Sequence, residues 1–256
     1  IIRSDIDHVN SFKPSFSIDE RKRSYLKVQD GCDYTCSFCT IPLARGQSRS
    51  GTISSTIKAA KEIVKFGNKE IVLTGVNIGD FGKKNNESFI DLIYELDRVS
   101  QINRIRISSI EPNLLTDEII EFCNSSKKFM PHFHIPLQSG SNKILRAMRR
   151  RYDKEVYKNR IKKIKDTNQD TCIGVDVIVG FPGESYEEFL ETYNFLIELD
   201  ITYLHVFSYS ERADTDALKI DGKVSKVDKS KRSKMLHILS EKKKHSFHNN
   251  FLNKKR

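Results

Sequence analysis

Six short apolar segments rich in β-branched residues, at 25–28, 70–74, 104–108, 132–135, 171–179 and 203–207, recur along the chain with amphipathic stretches between them. Helices are expected over 54–66, 88–99, 115–123, 142–148, 153–166 and 187–199. A strand followed each time by a helix cannot reach its successor through a hairpin, so the rhythm predicts βα units around a parallel sheet. Six units fall short of a closed eight-stranded barrel, and the pattern alone leaves a doubly wound sheet open. The 256 residues are enough to bury a proper core. Thr116 and Ser185, the latter followed by Glu187 and Glu188, are expected helix caps, and Ser141-Asn142 opens another helix. Glycines follow the strands at Gly75, Gly79, Gly140, Gly180 and Gly183. In parallel α/β sheets the loops at carboxyl strand ends are where ligands bind.

Three segments follow from composition: a polar linker or entering arm over 1–23, the βα core over 24–224, and a basic helix over 225–256. In that last helix Met235, Leu236, Ile238 and Leu239 form an apolar stripe, and Lys242, Lys243 and Lys244 are expected in solvent. No apolar run approaches the roughly 20 residues that cross a bilayer, so no membrane association is expected. The amino-terminal residues lack the layout of a secretory signal, and the chain opens on Ile1 rather than Met, as a piece of a longer protein would. Five cysteines, three of them clustered, argue for a reduced, cytoplasmic protein with a metal site and against a disulfide framework. Cys123 and Cys172 read as small buried hydrophobes. The net charge of +10 suggests a polyanionic partner such as nucleic acid, although a lysine-rich composition explains it equally well.

The stretch Gly31-Cys32-Asp33-Tyr34-Thr35-Cys36-Ser37-Phe38-Cys39 directly follows the first strand with the spacing C-x3-C-x2-C. Three thiolates on one loop suit three corners of a 4Fe–4S cubane and leave the fourth iron open for another ligand. The alternative is structural zinc in a non-catalytic RNA-binding module. Structural zinc wants four protein ligands, commonly as two separated pairs, and no second pair or nearby fourth ligand accompanies Cys32, Cys36 and Cys39.

With an aromatic residue before the third cysteine, the motif resembles the hallmark of the radical S-adenosylmethionine (SAM) superfamily, whose fold is an open (β/α)6 partial barrel of the TIM type. The resemblance implies that the open iron binds the methionyl amino and carboxylate groups of SAM, with Phe38 near the adenine. Further segments resemble the methylthiotransferases: Leu26-Lys27-Val28-Gln29-Asp30, Thr40-Ile41-Pro42-Leu43-Ala44-Arg45-Gly46, Leu73-Thr74-Gly75-Val76-Asn77, His134-Ile135-Pro136-Leu137-Gln138-Ser139-Gly140-Ser141 and Asp176-Val177-Ile178-Val179-Gly180-Phe181-Pro182-Gly183-Glu184, ending with Phe207-Ser208-Tyr209-Ser210. They occur in family order over roughly residues 24–220.

On that resemblance the cofactor-binding candidates are Phe38, Thr74, Gly75, Asn77, Ser109, Gln138, Ser141, Arg150, Asp176 and Gly180. Small and amide groups at Thr74, Gly75 and Asn77 suit an ammonium group, and Gln138 and Ser141 suit a ribose or carboxylate. Arg150, within Met148-Arg149-Arg150, suits a carboxylate or phosphate. Glu111, Asn113, Arg149 and Arg151 are the substrate-binding candidates, although a solvated surface is the stronger reading for Arg149 and Arg151. No acid–base or nucleophilic residue is assigned.

Arg106-Ile107-Ser108-Ser109-Ile110-Glu111-Pro112 and Thr74-Gly75-Val76-Asn77-Ile78-Gly79-Asp80 look most like the branch that modifies threonylcarbamoyladenosine in tRNA. A branch acting on isopentenyladenosine is the nearest alternative. The resemblance implies methylthiolation at C2 of the adenine beside the anticodon, through a 5′-deoxyadenosyl radical. It also implies a tRNA anticodon stem-loop as partner and an electron donor such as flavodoxin or ferredoxin. Arg146, Arg149, Arg151, Lys154, Lys158, Arg160, Lys162 and Lys163 would then attract the RNA backbone. Family members carry a second 4Fe–4S cluster in an upstream domain and end in an RNA-binding domain. No cysteine precedes Cys32 here, so the second cluster is expected only in a preceding domain, and this chain is expected to supply the radical half of the reaction.

Overall fold

The computed structural model describes residues 11–17, 23–252 and 254. Of the arm expected over 1–23, residues 1–10 and 18–22 lie outside the described residues, as do 253, 255 and 256 of the basic carboxyl-terminal segment. The chain divides into two compact units, one running through Thr35 and then Thr40–Phe133, the other comprising Cys36–Cys39 and the residues from His134 onward.

The first unit follows the order β1 (Ser15–Phe16), β2 (Arg23–Lys27), β3 (Gln29–Asp30), α1 (Ile41–Arg45), β4 (Arg49–Ser50), α2 (Ile53–Lys65), β5 (Glu70–Thr74), α3 (Phe89–Asp97), β6 (Arg104–Ile107) and α4 (Asp117–Ser125). β2, β5 and β6 lie parallel, with Tyr25 opposite Val72 and Val72 opposite Arg106. Leu26, Ile71, Leu73 and Ile105 from these strands are wholly buried, each worth roughly 1.5–3 kcal/mol relative to exposure. The helices over them place apolar or small residues three and four apart: Thr56, Ala59, Ala60 and Ile63 on α2, and Phe89, Leu92, Ile93 and Leu96 on α3. Their starts are fixed by Thr52, Ser88 and Thr116, whose hydroxyls accept from Ser55, Asp91 and Ile119 N–H groups. The βα rhythm did not predict β1, which adds antiparallel to β2, or the short antiparallel pair β3–β4 that flanks the first cysteine.

The second unit contains β7 (His132–Gln138), α5 (Asn142–Ala147), α6 (Lys154–Thr167), β8 (Cys172–Val179), α7 (Tyr186–Glu198), β9 (Tyr203–Ser208) and α8 (Lys226–Asn249). Its sheet has the order β7-β8-β9, and β8 and β9 are parallel with Asp176 opposite His205. Alternation along β8 buries Ile173, Val175, Val177 and Val179 and turns Gly174, Asp176 and Ile178 to the other face. β7 runs three residues beyond the expected Ile135, through Pro136, to Gln138. It is an edge strand of this sheet, where a missing N–H is tolerated. Ser185 forms a full capping box with Glu188. Ser141 occupies the cap position of α5, but its side chain makes no cap hydrogen bond.

α8 packs on β9, with the Ser240 hydroxyl accepting from Leu204 N–H across 2.9 Å. Its apolar stripe is narrower than expected: Leu236 and Leu239 are buried, whereas Ile238 is 49% exposed. Lys243 is not a solvent lysine. Its ammonium donates to Ile197 O at 3.0 Å and Leu199 O at 2.6 Å, closing the carboxyl end of α7, and burial pulls its pKa down. Cys123 is buried, and burial pushes its thiol far up. Cys172 is only half-buried at the start of β8, against the expectation of full burial.

Candidate cofactor site

In the first unit the residues around Cys32 are organised by Gln29, which is fully buried. Its Nε2 donates to Asp30 O, Gly31 O and Ser48 Oγ at 2.9, 2.7 and 3.0 Å, while its Oε1 accepts from Asn77 N–H at 2.7 Å. One amide thus joins the start of the cysteine loop to the loop after β5. Gly31 has φ +71°, and a Cβ there would lie 2.0 Å from Gln47 O. Only glycine fits. Cys32 N–H donates to Gly46 O at 3.1 Å, and Tyr34 N–H points at Cys32 Sγ across 3.4 Å. Beneath the loop, burial pushes the Asp30 carboxyl up, but Lys27, the Gly31 N–H and Arg49 together hold it below its ordinary value.

The loop after β5 gathers the polar groups expected near a ligand. Gly75 lies against Gln29. Asn77 is buried; its Nδ2 donates to Asp80 Oδ2 at 2.8 Å, and its Oδ1 has no hydrogen-bond partner. A buried carbonyl oxygen left in this way costs about 1–3 kcal/mol unless a donor arrives. Asn113 Nδ2 donates to Tyr34 OH at 2.7 Å. Burial, with Asp80 and Glu111 nearby, raises the Tyr34 pKa. Thr74 and Ser109 are half-buried at the ends of β5 and just past β6, while Asn113 is exposed. The motif reading named Thr74, Gly75, Asn77, Glu111 and Asn113 as site residues; it did not so name Gln29 or Tyr34, whose partners Asn77 and Asn113 are distant in sequence, nor Asp80, which Asn77 meets three residues away.

In the second unit, Ser37 anchors the segment carrying Cys36 and Cys39. Its N–H and hydroxyl donate to Met148 O and Ala147 O at 3.1 and 2.7 Å, and its carbonyl accepts from Ala217 N–H at 2.7 Å. Arg150 Nη1 donates to Cys36 Sγ at 3.2 Å, and its Nε to Tyr152 OH at 3.1 Å. A carboxylate or phosphate is the partner expected of Arg150; within the protein its Nη1 meets a sulfur. Hydrogen bonds to such sulfurs stabilise their negative charge and tune a cluster's potential. Phe38 meets Phe181 edge-to-face at 6.2 Å and packs with Ile144, Met148 and Tyr209. Gln138 and Arg149 hold left-handed backbones, with φ +68° and +57°, a strain that collects at ligand sites.

Gly180 has φ +73°, lies against the Lys229 side chain, and donates its N–H to Glu184 Oε1 at 3.0 Å. Glu184 is buried and paired with Arg232 of α8; burial pushes its carboxyl up, opposed by the Gly180 N–H and Arg232. Ser141 is buried, and its N–H donates to Ser139 Oγ at 3.2 Å. Asp176 sits in mid-strand, short of the carboxyl end of β8, and faces His134 and His205. Several expected RNA-binding cations have partners within the protein: Arg149 with Asp216, Lys154 with Glu191 and Lys162 with Asp166. Among the described residues, no helix is long and apolar enough to cross a membrane.

Comparison with known proteins places these features in a family. The chain is 46% identical over 230 residues to the threonylcarbamoyladenosine tRNA methylthiotransferase MtaB of Bacillus subtilis, covering 89% of this chain and 51% of that protein. It is 35% identical over 222 residues to the tRNA-2-methylthio-N(6)-dimethylallyladenosine synthase of Alkaliphilus oremlandii, covering 86% and 47%. The chain thus spans about half the length of the curated relatives it matches. Among solved structures, coproporphyrinogen III oxidase (HemN) from Escherichia coli, a radical SAM enzyme, superposes with TM-score 0.61 at 17% identity over 86% of this chain and 52% of that one. The methyltransferase TsrM from Kitasatospora setae, with cobalamin and a [4Fe-4S] cluster bound, gives TM-score 0.61 at 16% identity over 72% and 36%. These likenesses carry the fold, the open (β/α)6 type that the radical SAM resemblance implied. Because the model of the radical SAM superfamily matches residues 26–196, from the first parallel strand into α7, the chain belongs to that superfamily.

Proposed function

We propose that this chain is the radical SAM core of a tRNA methylthiotransferase acting at C2 of N6-threonylcarbamoyladenosine beside the anticodon. The observation that carries the reading is the 46% identity to a threonylcarbamoyladenosine enzyme over 89% of the chain. Relatives named for dimethylallyladenosine stand at 35–37%, below that 46%, which favours the first substrate.

Cys32, Cys36 and Cys39 would hold a 4Fe–4S cluster. The donor set fits: three thiols in one short stretch, with N–H groups of Tyr34 and Arg150 directed at two of the sulfurs. The partnerless Asn77 Oδ1 fits an incoming ammonium group such as that of SAM. Together, cluster and SAM supply a 5′-deoxyadenosyl radical to such a site. The chain's own groups hold, orient and exclude water: Thr74, Gly75 and Asn77 toward the methionyl end, Phe38 and Gly180 toward the adenine, and Gln138, Ser139 and Ser141 toward the ribose. Ser109 and Asp176 complete the cofactor candidates, Arg150 tunes a sulfur, and Glu111, Asn113, Arg149 and Arg151 are the groups for the target nucleotide. That nucleotide must leave its stack to be reached. An open cleft lined by Tyr209, Lys226, Lys229, Lys234 and His237 adds positive charge for the RNA backbone. A one-electron donor of the flavodoxin or ferredoxin kind completes the partners, in the cytoplasm. Sulfur insertion would draw on a second cluster, for which this stretch of sequence offers no second cysteine triplet.

The test combines anaerobic reconstitution with mass spectrometry. Iron and sulfide should give a brown chain that releases 5′-deoxyadenosine from SAM on reduction. tRNA from a strain lacking the gene should lose the methylthio group on threonylcarbamoyladenosine and keep it on isopentenyladenosine. Zinc that is lost on replacing Cys36 with alanine, together with no SAM cleavage, would favour the RNA-binding module instead.

A further inference from the structure

We infer that His134, Asp176 and His205 form a binding site for a divalent transition-metal ion, separate in its donors and chemistry from the cysteine loop. The three residues come one from each of the successive strands β7, β8 and β9. His134 Nε2 lies 2.8 Å from Asp176 Oδ1, and His205 Nδ1 lies 3.3 Å from the same oxygen. All three donor atoms fall within 4.8 Å of one another. Ligands about 2.0–2.2 Å from a metal stand about 3.0–3.5 Å apart at tetrahedral or octahedral angles, so small side-chain movements bring these atoms onto one ion.

As a hydrogen-bond arrangement alone, the Asp176 oxygen would accept from both imidazole nitrogens. Both nitrogens must carry protons, which fixes the tautomer of each ring or charges it. A cation in place of those protons accepts all three lone pairs at once. The donor set also selects the ion. Two nitrogens and one oxygen suit zinc or iron(II), whereas magnesium and calcium prefer oxygen throughout.

The surroundings hold the rings in place and leave one side open. The His134 and His205 rings stack at 4.9 Å with their planes 34° apart, and Tyr203 flanks His205 at 5.2 Å. The His134 side chain is 11% exposed, that of Asp176 22% and that of His205 52%. Three protein ligands with an open position mark an exchangeable site, whose remaining coordination goes to water or to an oxygen of a bound molecule. The site uses none of Cys32, Cys36 and Cys39, so it and the cluster assignment stand or fall separately; Asp176, a cofactor-binding candidate from the sequence, is the residue it shares with the expected SAM site.

The experiment is a cobalt(II) titration of the full chain with Cys32, Cys36 and Cys39 replaced by serine, after circular dichroism has shown native helix content and a cooperative melt. One equivalent of cobalt should produce saturable visible d–d absorption. Adding His205→Ala or Asp176→Asn should weaken binding by more than about 100-fold, since even outer-shell changes cost about 10–100-fold. No saturable absorption, or binding unchanged by either substitution, would overturn the site. If the triple-serine chain does not fold, the cluster-loaded wild-type chain is equilibrated with zinc, desalted and analysed for metal. One zinc beyond the cluster iron, absent from the cluster-loaded His205→Ala chain, supports the site; equal zinc in both refutes it.

Discussion

Arg150 donates from Nη1 to the sulfur of Cys36 across 3.2 Å, joining residues 114 positions apart in the chain. A guanidinium held there by Tyr152 OH offers a fixed positive charge to whatever charge the sulfur carries. Hydrogen bonds to charged groups are worth about 1.5–3 kcal/mol. Arg150→Ala should therefore slow reductive SAM cleavage about 10- to 100-fold and lower the cluster's reduction midpoint, with Arg150→Lys recovering part of both. Potentiometry followed by electron paramagnetic resonance reads the midpoint directly; an unshifted value would separate Arg150 from the sulfur chemistry.

Cys36→Ala should abolish iron loading and 5′-deoxyadenosine release together. Iron analysis and chromatography of the SAM reaction check the pair, and retention of both would remove Cys36 from the ligand set.

Gly31→Ala places a Cβ 2.0 Å from Gln47 O at a backbone of φ +71°. The left-handed backbone alone costs a side chain about 1–2 kcal/mol, and the overlap adds to it. Urea unfolding should show a loss of at least about 2 kcal/mol, with iron loading reduced because the loop entering Cys32 must move. Wild-type stability in this variant would mean that the loop relaxes freely.

The buried pair of Glu184 and Arg232 fixes α8 beside the turn after β8. Arg232→Ala leaves a buried carboxyl without its cation and should cost about 3–5 kcal/mol. Glu184→Gln combined with Arg232→Met removes both charges and should recover most of that loss. Denaturation midpoints of the single and double variants form the test, and strict additivity would deny the coupling.

Lys143 and Ser185 hold the Glu188 carboxyl at about 2, below its ordinary 4.5, chiefly through the Lys143 hydrogen bond. A carboxyl depressed on folding adds stability that is complete above pH 4.5 and drains as pH falls toward about 2. Glu188→Gln should flatten the stability profile in that window relative to wild type. Melting temperatures measured at steps through it check the sign; parallel profiles would contradict the linkage.

The six main strands and the helices between them were legible because each spells its own period in adjacent residues, as β8 does from Ile173 to Val179. Pro136 concealed the end of β7, since a proline argues against a strand unless that strand is known to lie at an edge. The cysteine spacing was equally local. Illegible were the partners that meet only in three dimensions: Gln29 with Asn77, Arg150 with Cys36, and Asp176 with His134 and His205. Asp176 reads in sequence as one polar residue of a glycine-ended strand, and nothing within several residues announces the two histidines. Lys243 similarly reads as one of three solvent lysines, because the open carbonyls it closes belong to another helix.

Ser37 carries a consequence for how the chain acquires metal. Its three backbone and side-chain bonds to Met148, Ala147 and Ala217 involve no thiol, so the segment bearing Cys36 and Cys39 is ordered before any ion arrives. The entropic cost of ordering that segment is met when the polypeptide folds, not when the cluster assembles. Oxidative loss of iron would then leave the segment bearing Cys36 and Cys39 still shaped, ready for reloading without refolding. Amide exchange at Ser37 should be as slow in the stripped chain as in the loaded one.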